Sequence, residues 1–123
     1  MGSSRPLFVD ADGHLYQQAV IERMIEVCPD LGPVLLEDEE VIGGLPYLQV
    51  SWIAKAVVKL ALAGQEAGVR AVLELAEEVL REFGQDGRDF IGAGFVEGIP
   101  EGGEAILEPF AGPLLLEEMR PYL

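Results

Sequence analysis

The placing of proline constrains this chain more than any other feature. Pro29, Pro33 and Pro46 precede the middle of the sequence, Pro100, Pro109, Pro113 and Pro121 come after it, and no proline lies between Pro46 and Pro100. Proline lacks the backbone donor and clashes with the preceding turn, so it ends helices or is confined to their first turn. Long helices therefore belong in the middle, and short, punctuated ones at the flanks.

Hydrophobic periodicity fills in that frame. Over 66–83, Val69, Val72, Leu73, Ala76, Val79, Leu80 and Phe83 recur at steps of three and four, while Arg70, Glu74, Glu77, Glu78, Arg81 and Glu82 take the other side, and Gly84 comes next as a stop. Glu77 and Arg81 are spaced to pair along the exposed face. An earlier helix is predicted over 14–28, capped by Asp12, carrying Tyr16, Val20, Ile21, Met24, Ile25, Val27 and Cys28 inward and closed by Pro29. Residues 45–63 read as a third helix, apolar around most of its circumference and so surrounded by neighbours.

Over 86–99, Phe90, Ile91, Phe95 and Ile99 again have helical spacing, while Gly92, Gly94 and Gly98 weaken a helix unless another backbone packs close against it. The last stretch, 102–122, reads as two short helices broken near Pro109 and Pro113, with Pro113 suited to a first turn. No segment alternates as a half-buried strand would. The expectation is an all-α fold, a single array of about five or six helices. Leu31-Gly32-Pro33-Val34-Leu35-Leu36-Glu37 and Ala111-Gly112-Pro113-Leu114-Leu115-Leu116-Glu117 echo one another, either as a duplicated unit or, more simply, through a shared way of starting a helix.

At 123 residues and 50% hydrophobic composition the chain holds one domain with a real core. We place that domain at 12–123 and treat 1–11 as a tail, of which residues 1–4 could as easily be a cloning remnant as native sequence. Cys28 is the only cysteine, so no intrachain disulfide forms and a reducing cytoplasm is the simplest home. The apolar run 45–63 is interrupted by Gln49, Ser51, Lys55 and Lys59, which argues against a bilayer span.

Charge narrows the function. Eight Lys and Arg against 22 Asp and Glu give a formal charge of −14, a field that repels nucleic acid and anionic membrane and favours a basic partner, although acidity also serves solubility alone. Catalytic resources are thin: no Thr, no Asn, one His, one Cys, two Lys and three Ser. The expectation is a binding protein without turnover. No cofactor is implied, and a single His14 and a single Cys28 offer no zinc cluster.

One segment does resemble a catalytic motif. Asp10-Ala11-Asp12-Gly13-His14, after Leu7-Phe8-Val9, is similar to the Asp-x-Asp-Gly motif of haloacid-dehalogenase-type phosphatases, where the first Asp is the nucleophile and the second the general acid. His14 stands where that family has Thr or Val, and no βαβ repeat comes after it. A turn and helix cap is the plainer account. The same aspartates lack the third ligand, the Gly and the distal Glu of an EF-hand loop.

The acidic clusters are the candidate contacts. Glu37, Asp38, Glu39 and Glu40 form one run, Asp86 and Asp89 another, Glu97, Glu101, Glu104 and Glu108 a third, with Glu117 and Glu118 near the end. At helix ends and loops, such carboxylates can steer a basic partner and pair with it, with Tyr47, Trp52 and Tyr122 as possible anchors, although Trp52 reads better as a core residue.

From Leu45-Pro46-Tyr47-Leu48 through Phe90-Ile91-Gly92-Ala93-Gly94-Phe95-Val96-Glu97-Gly98-Ile99 to Phe110-Ala111-Gly112-Pro113, and at Cys28-Pro29-Asp30-Leu31, the chain resembles a family of small bacterial helical domains of unknown function. Phe95, Glu97, Gly112 and Pro113 are the positions that carry the likeness. Small acidic domains of this kind resemble the immunity proteins of polymorphic toxin systems, which implies a cognate protein toxin as partner and inhibition by occlusion. The alternatives are an acidic adaptor or chaperone-like module for a basic client, and a phosphatase-like enzyme using Asp10 and Asp12. Oligomeric state is not readable.

Overall fold

The structure is a computed structural model that describes residues 8–123. Among these residues seven α-helices run in order: α1 (Gln17–Val27), α2 (Leu31–Glu37), α3 (Glu39–Ile42), α4 (Pro46–Leu62), α5 (Glu66–Gly87), α6 (Gly103–Leu107) and α7 (Pro113–Met119). A π-helical segment (Arg88–Val96) runs on from α5. The fold among the described residues is all-α. The count exceeds the expected five or six because residues 31–42 form two short helices of their own, α2 and α3, the second where the acidic run closes into a turn and the Val41 and Ile42 N–H groups donate to the Asp38 carbonyl.

α4 is the centre. Val50, Ile53, Ala54 and Val57 are fully buried, and α1, α2, α5, α6 and the π-helical segment all pack on it. Pro46 sits at its first position, where the missing donor costs nothing. α5 lays its stripe of Val69, Val72, Leu73, Ala76 and Val79 into the same core. At its amino-terminal end Gly68 lets Cys28 approach: a methyl group at Gly68 would come within 2.8 Å of the Cys28 Sγ.

The stop predicted at Gly84 is a kink. Gly84 leaves helical geometry, at φ 54 and ψ −124, a conformation that glycine adopts readily, and the chain then turns back into helix. The next segment is the π-helix, and its cause is readable. Phe90 and Phe95 are buried, as are Ile91 and Val96, so the inward pairs repeat every five residues. Five-residue spacing matches the i→i+5 bonding of a π-helix, and the Glu97 N–H donates to the Gly92 carbonyl accordingly. The glycines serve close packing, as expected from their cost in a helix. A Cβ at Gly98 would lie 2.6 Å from the Ser51 Cα, and one at Gly94 would lie 2.6 Å from a Val50 methyl.

The amino-terminal expectations need correction. α1 starts at Gln17, and Asp12 is not its cap; Tyr16 is half exposed. Asp10 holds the turn before the helix, its Oδ1 accepting the N–H groups of Asp12 (2.9 Å) and His14 (3.0 Å). The turn is closed by an isolated bridge between Val9 and Leu15 and by the Tyr16 N–H donating to the Phe8 carbonyl. Phe8 is fully buried and Leu15 nearly so, and the packed domain therefore takes in residues ahead of Asp12. Residues 1–7, the rest of the expected tail, lie outside the described residues.

The echo between the two Gly-Pro segments is a shared helix start in different registers. Pro113 is the first residue of α7, whereas Pro33 is the third of α2. Leu35 and Leu115 nevertheless occupy equivalent buried positions.

Candidate acidic binding face

Ten of the carboxylates named as candidate contacts fall in three places. Glu37, Glu39 and Glu40 belong to α2 and α3, in a stretch that also exposes Leu36, Val41 and Leu45. Asp38, in the same run, is engaged by the fold: Trp52 Nε1 donates to its Oδ2 at 2.8 Å, and Lys55 Nζ lies 4.4 Å above the Trp52 ring. Trp52 is thus a half-buried clamp between α4 and the α2–α3 junction, not a surface anchor. Glu108 is exposed at the start of a 3₁₀ turn (Glu108–Phe110).

The remaining five gather on one side. Asp86 and Asp89 near the start of the π-helical segment, Glu97 just past its end, and Glu101 and Glu104 on the approach to and first turn of α6 line three neighbouring clefts that share residues. The first holds His14, Tyr47, Asp86 and Asp89, with His14 Nδ1 3.8 Å from an Asp86 oxygen. The second shares Asp89 and adds Gln85, Arg88, Glu97, Glu118 and Tyr122. There Gln85 joins its neighbours, donating to Asp89 Oδ1 at 2.7 Å and accepting from Arg88 at 2.8 Å. The third shares Glu97 and Tyr122 and is walled by Val96, Ile99, Glu101, Gly102 and Glu104. The π-helix arranges this face: with Phe90, Ile91, Phe95 and Val96 turned inward, Asp89, Ala93 and Glu97 are left outside at four-residue steps.

Glu104 departs from the expectation of a rim contact, being only 5% exposed. Glu118, named with Glu117 near the carboxyl terminus, joins this side too, although nothing in the local pattern links the carboxyl terminus to the π-helical segment. A signal lies in Gly92, where a Cβ would be 2.7 Å from the Glu118 Oε1. Of the positions carried by the family likeness, Phe95 is fully buried and Gly112 packs on Glu77, leaving Glu97 exposed on the acidic face and Pro113 at a helix start.

Glu77 has a role other than pairing with Arg81. Its carboxylate reaches across to α7 and accepts the N–H groups of Leu114 (3.0 Å) and Leu115 (2.9 Å), capping that helix from a distant part of the chain. Gly112 leaves room for this contact, since a Cβ would sit 2.6 Å from the Glu77 Cδ and the capping side chain would have to shift.

The groups with catalytic potential are scattered. Asp10 and Asp12 are exposed in a turn, and no strand precedes them among the described residues. Cys28 is buried, and desolvation, together with the nearby Asp30 charge, pushes its thiol above the ordinary value, away from the reactive thiolate. Among the described residues no group of three His, Cys, Asp or Glu side chains is disposed to hold a metal ion, and no helix is long and apolar enough to cross a membrane. Compared with protein-family models, curated proteins and solved structures, the chain matches none.

Proposed function

We propose that this is an immunity-type binding protein, which meets a basic partner, a cognate toxin, through the acidic face along the π-helical segment and inhibits it by occlusion. The observation that carries the reading is the gathering of Asp86, Asp89, Glu97, Glu101 and Glu118, distant in sequence from end to end, on one side with the half-exposed Tyr122 among them. Carboxylates around an aromatic anchor steer a cationic surface and then pair with it, and the field of a −14 chain strengthens the steering. The exposed setting of Asp10, Asp12 and His14 favours binding over turnover as the function.

The alternative of an acidic adaptor for basic clients draws on the second acidic stretch, where Leu36 and Val41 are 72% and 62% exposed beside Glu37, Glu39 and Glu40. Such a mixed apolar and acidic surface suits several clients better than one. Capture of interacting proteins from a lysate of the native host at low and high salt, with mass spectrometry, separates the two. A single stoichiometric partner that survives high salt and is released by charge reversal at Glu97 and Glu101 supports the inhibitor. A scatter of basic proteins lost at high salt refutes it.

A further inference from the structure

We propose that the cleft between the end of the π-helical segment and α6 is a pocket for one arginine side chain of the protein partner. This rests on the acidic face being the partner-binding surface and says which part of it gives specificity. The cleft has a volume of about 290 Å³ and is lined by Glu97, Glu101 and Glu104 with no cation among the described residues, whereas the two clefts beside it include Arg88 or His14.

Glu104 is the observation that points to a ligand. It is 95% buried in a cleft wall, yet no hydrogen bond or ion pair from the described residues engages its side chain. Its oxygens are not sealed inside the protein, since among the described residues Gln49 Oε1 is the one buried side-chain oxygen without a partner, so the carboxylate opens to the cleft with lone pairs available to a donor from outside. An acid in the first turn of a helix is common because it favours the dipole, but that role needs no burial and leaves most of the acceptor capacity unused.

The rest of the lining selects the donor. Metal is disfavoured, since the three carboxylates are not disposed as a metal-holding group. Val96 and Ile99 supply apolar wall for an aliphatic stem, and Tyr122, 50% exposed, supplies a ring at the mouth. A planar guanidinium carries five donors, can pair with more than one carboxylate and stacks on an aromatic face, whereas an ammonium is a compact, strongly hydrated charge. Arginine therefore uses this cleft better than lysine.

The test is titration of the full chain with Nα-acetyl-arginine-N-methylamide and with its lysine counterpart, monitored by amide chemical shifts. Shifts confined to residues 96–104 and 122, with the lysine compound at least about fivefold weaker, are expected. Glu104→Gln should weaken the arginine compound about tenfold, while Glu108→Gln, an equal charge change outside the cleft, should leave it within about twofold. Glu97→Gln, at an exposed position, should weaken it about threefold and serves if the buried variant does not fold. Shifts spread over every acidic loop, equal losses for Glu104→Gln and Glu108→Gln, or equal affinity for lysine overturn the pocket. An arginine compound bound in the cleft of a protein with no salt-resistant partner would refute the inhibitor reading and leave the pocket standing. A stoichiometric complex indifferent to both Glu104→Gln and Glu97→Gln would do the reverse.

Discussion

Replacing Glu77 by Ala removes the side-chain cap on α7 and tests whether the carboxyl-terminal third is held from α5. Two backbone amides lose their acceptor, at 3.0 and 2.9 Å, and the carboxylate charge leaves the positive end of a helix. A lost cap costs about 0.5–2 kcal/mol and hydrogen bonds to a charged group lie at the upper end of that range, but Glu77 is half-buried and water can replace part of the loss. We take about 1.5 kcal/mol as the cost of losing this cap. At about 2.1 cal/mol/K per residue the unfolding entropy of 123 residues is about 0.26 kcal/mol/K, which makes the expected fall in Tm about 6 °C. Thermal unfolding monitored by circular dichroism measures it, with urea titration to confirm that the slope is unchanged. Arg81→Ala should shift Tm by less than about 2 °C, because the Glu77 oxygens face α7 and not Arg81. A Tm for Glu77→Ala within about 2 °C of the parent, or losses equal to those of Arg81→Ala, would refute the cross-chain cap.

Gly98→Ala should destabilise by about 1–3 kcal/mol, since the new methyl group meets the Ser51 Cα at 2.6 Å and backbone cannot swing aside; urea unfolding reads it. Cys28 should resist thiol reagents in the native protein and react at once in denaturant. Because the folded thiol titrates above its ordinary value of 9.0, the unfolded chain ionises first, so stability is intact below that pH and declines as pH rises through it; a Cys28→Ala variant should lose that decline. Added salt should raise the Tm of the free protein by screening its −14 self-repulsion while weakening attachment to a basic partner, two opposite signs read from one salt series.

The periodic part of the fold could be read from residues alone. The stripes of α4 and α5 and the first-turn proline of α7 obey local pattern and steric rules, and the glycines at 94 and 98 announced a close neighbour, a side chain at the first and a backbone at the second, without naming it. The π-helix was written in the same letters but at another period. Phe90 with Phe95, and Ile91 with Val96, are five apart, and a search for steps of three and four absorbs them into an ordinary helix. Glu77 could not be read at all, because its partners Leu114 and Leu115 lie in a separate helix that only tertiary packing brings near. Phe8 was misplaced for a related reason: a single aromatic outside any periodic run has no local sign of burial.

The carboxylates divide by what the fold asks of them, and the division bears on function more than their number does. Asp10 closes the first turn, Asp38 receives the Trp52 indole, and Glu77 caps α7, so acids that look alike in sequence are engaged by the architecture. Removing any of these would weaken the protein whatever it binds. Glu97 and Glu101 are exposed, and Glu104 is buried with no donor among the described residues, so the fold gains nothing comparable from them. A carboxylate that the fold leaves to the water of a cleft keeps its acceptor capacity for a partner, and a cleft that holds it in one place adds geometry to the charge. That asymmetry makes the α6 end of the acidic face, more than the exposed run at 37–40, the place where a specific complex would differ from general attraction between opposite charges.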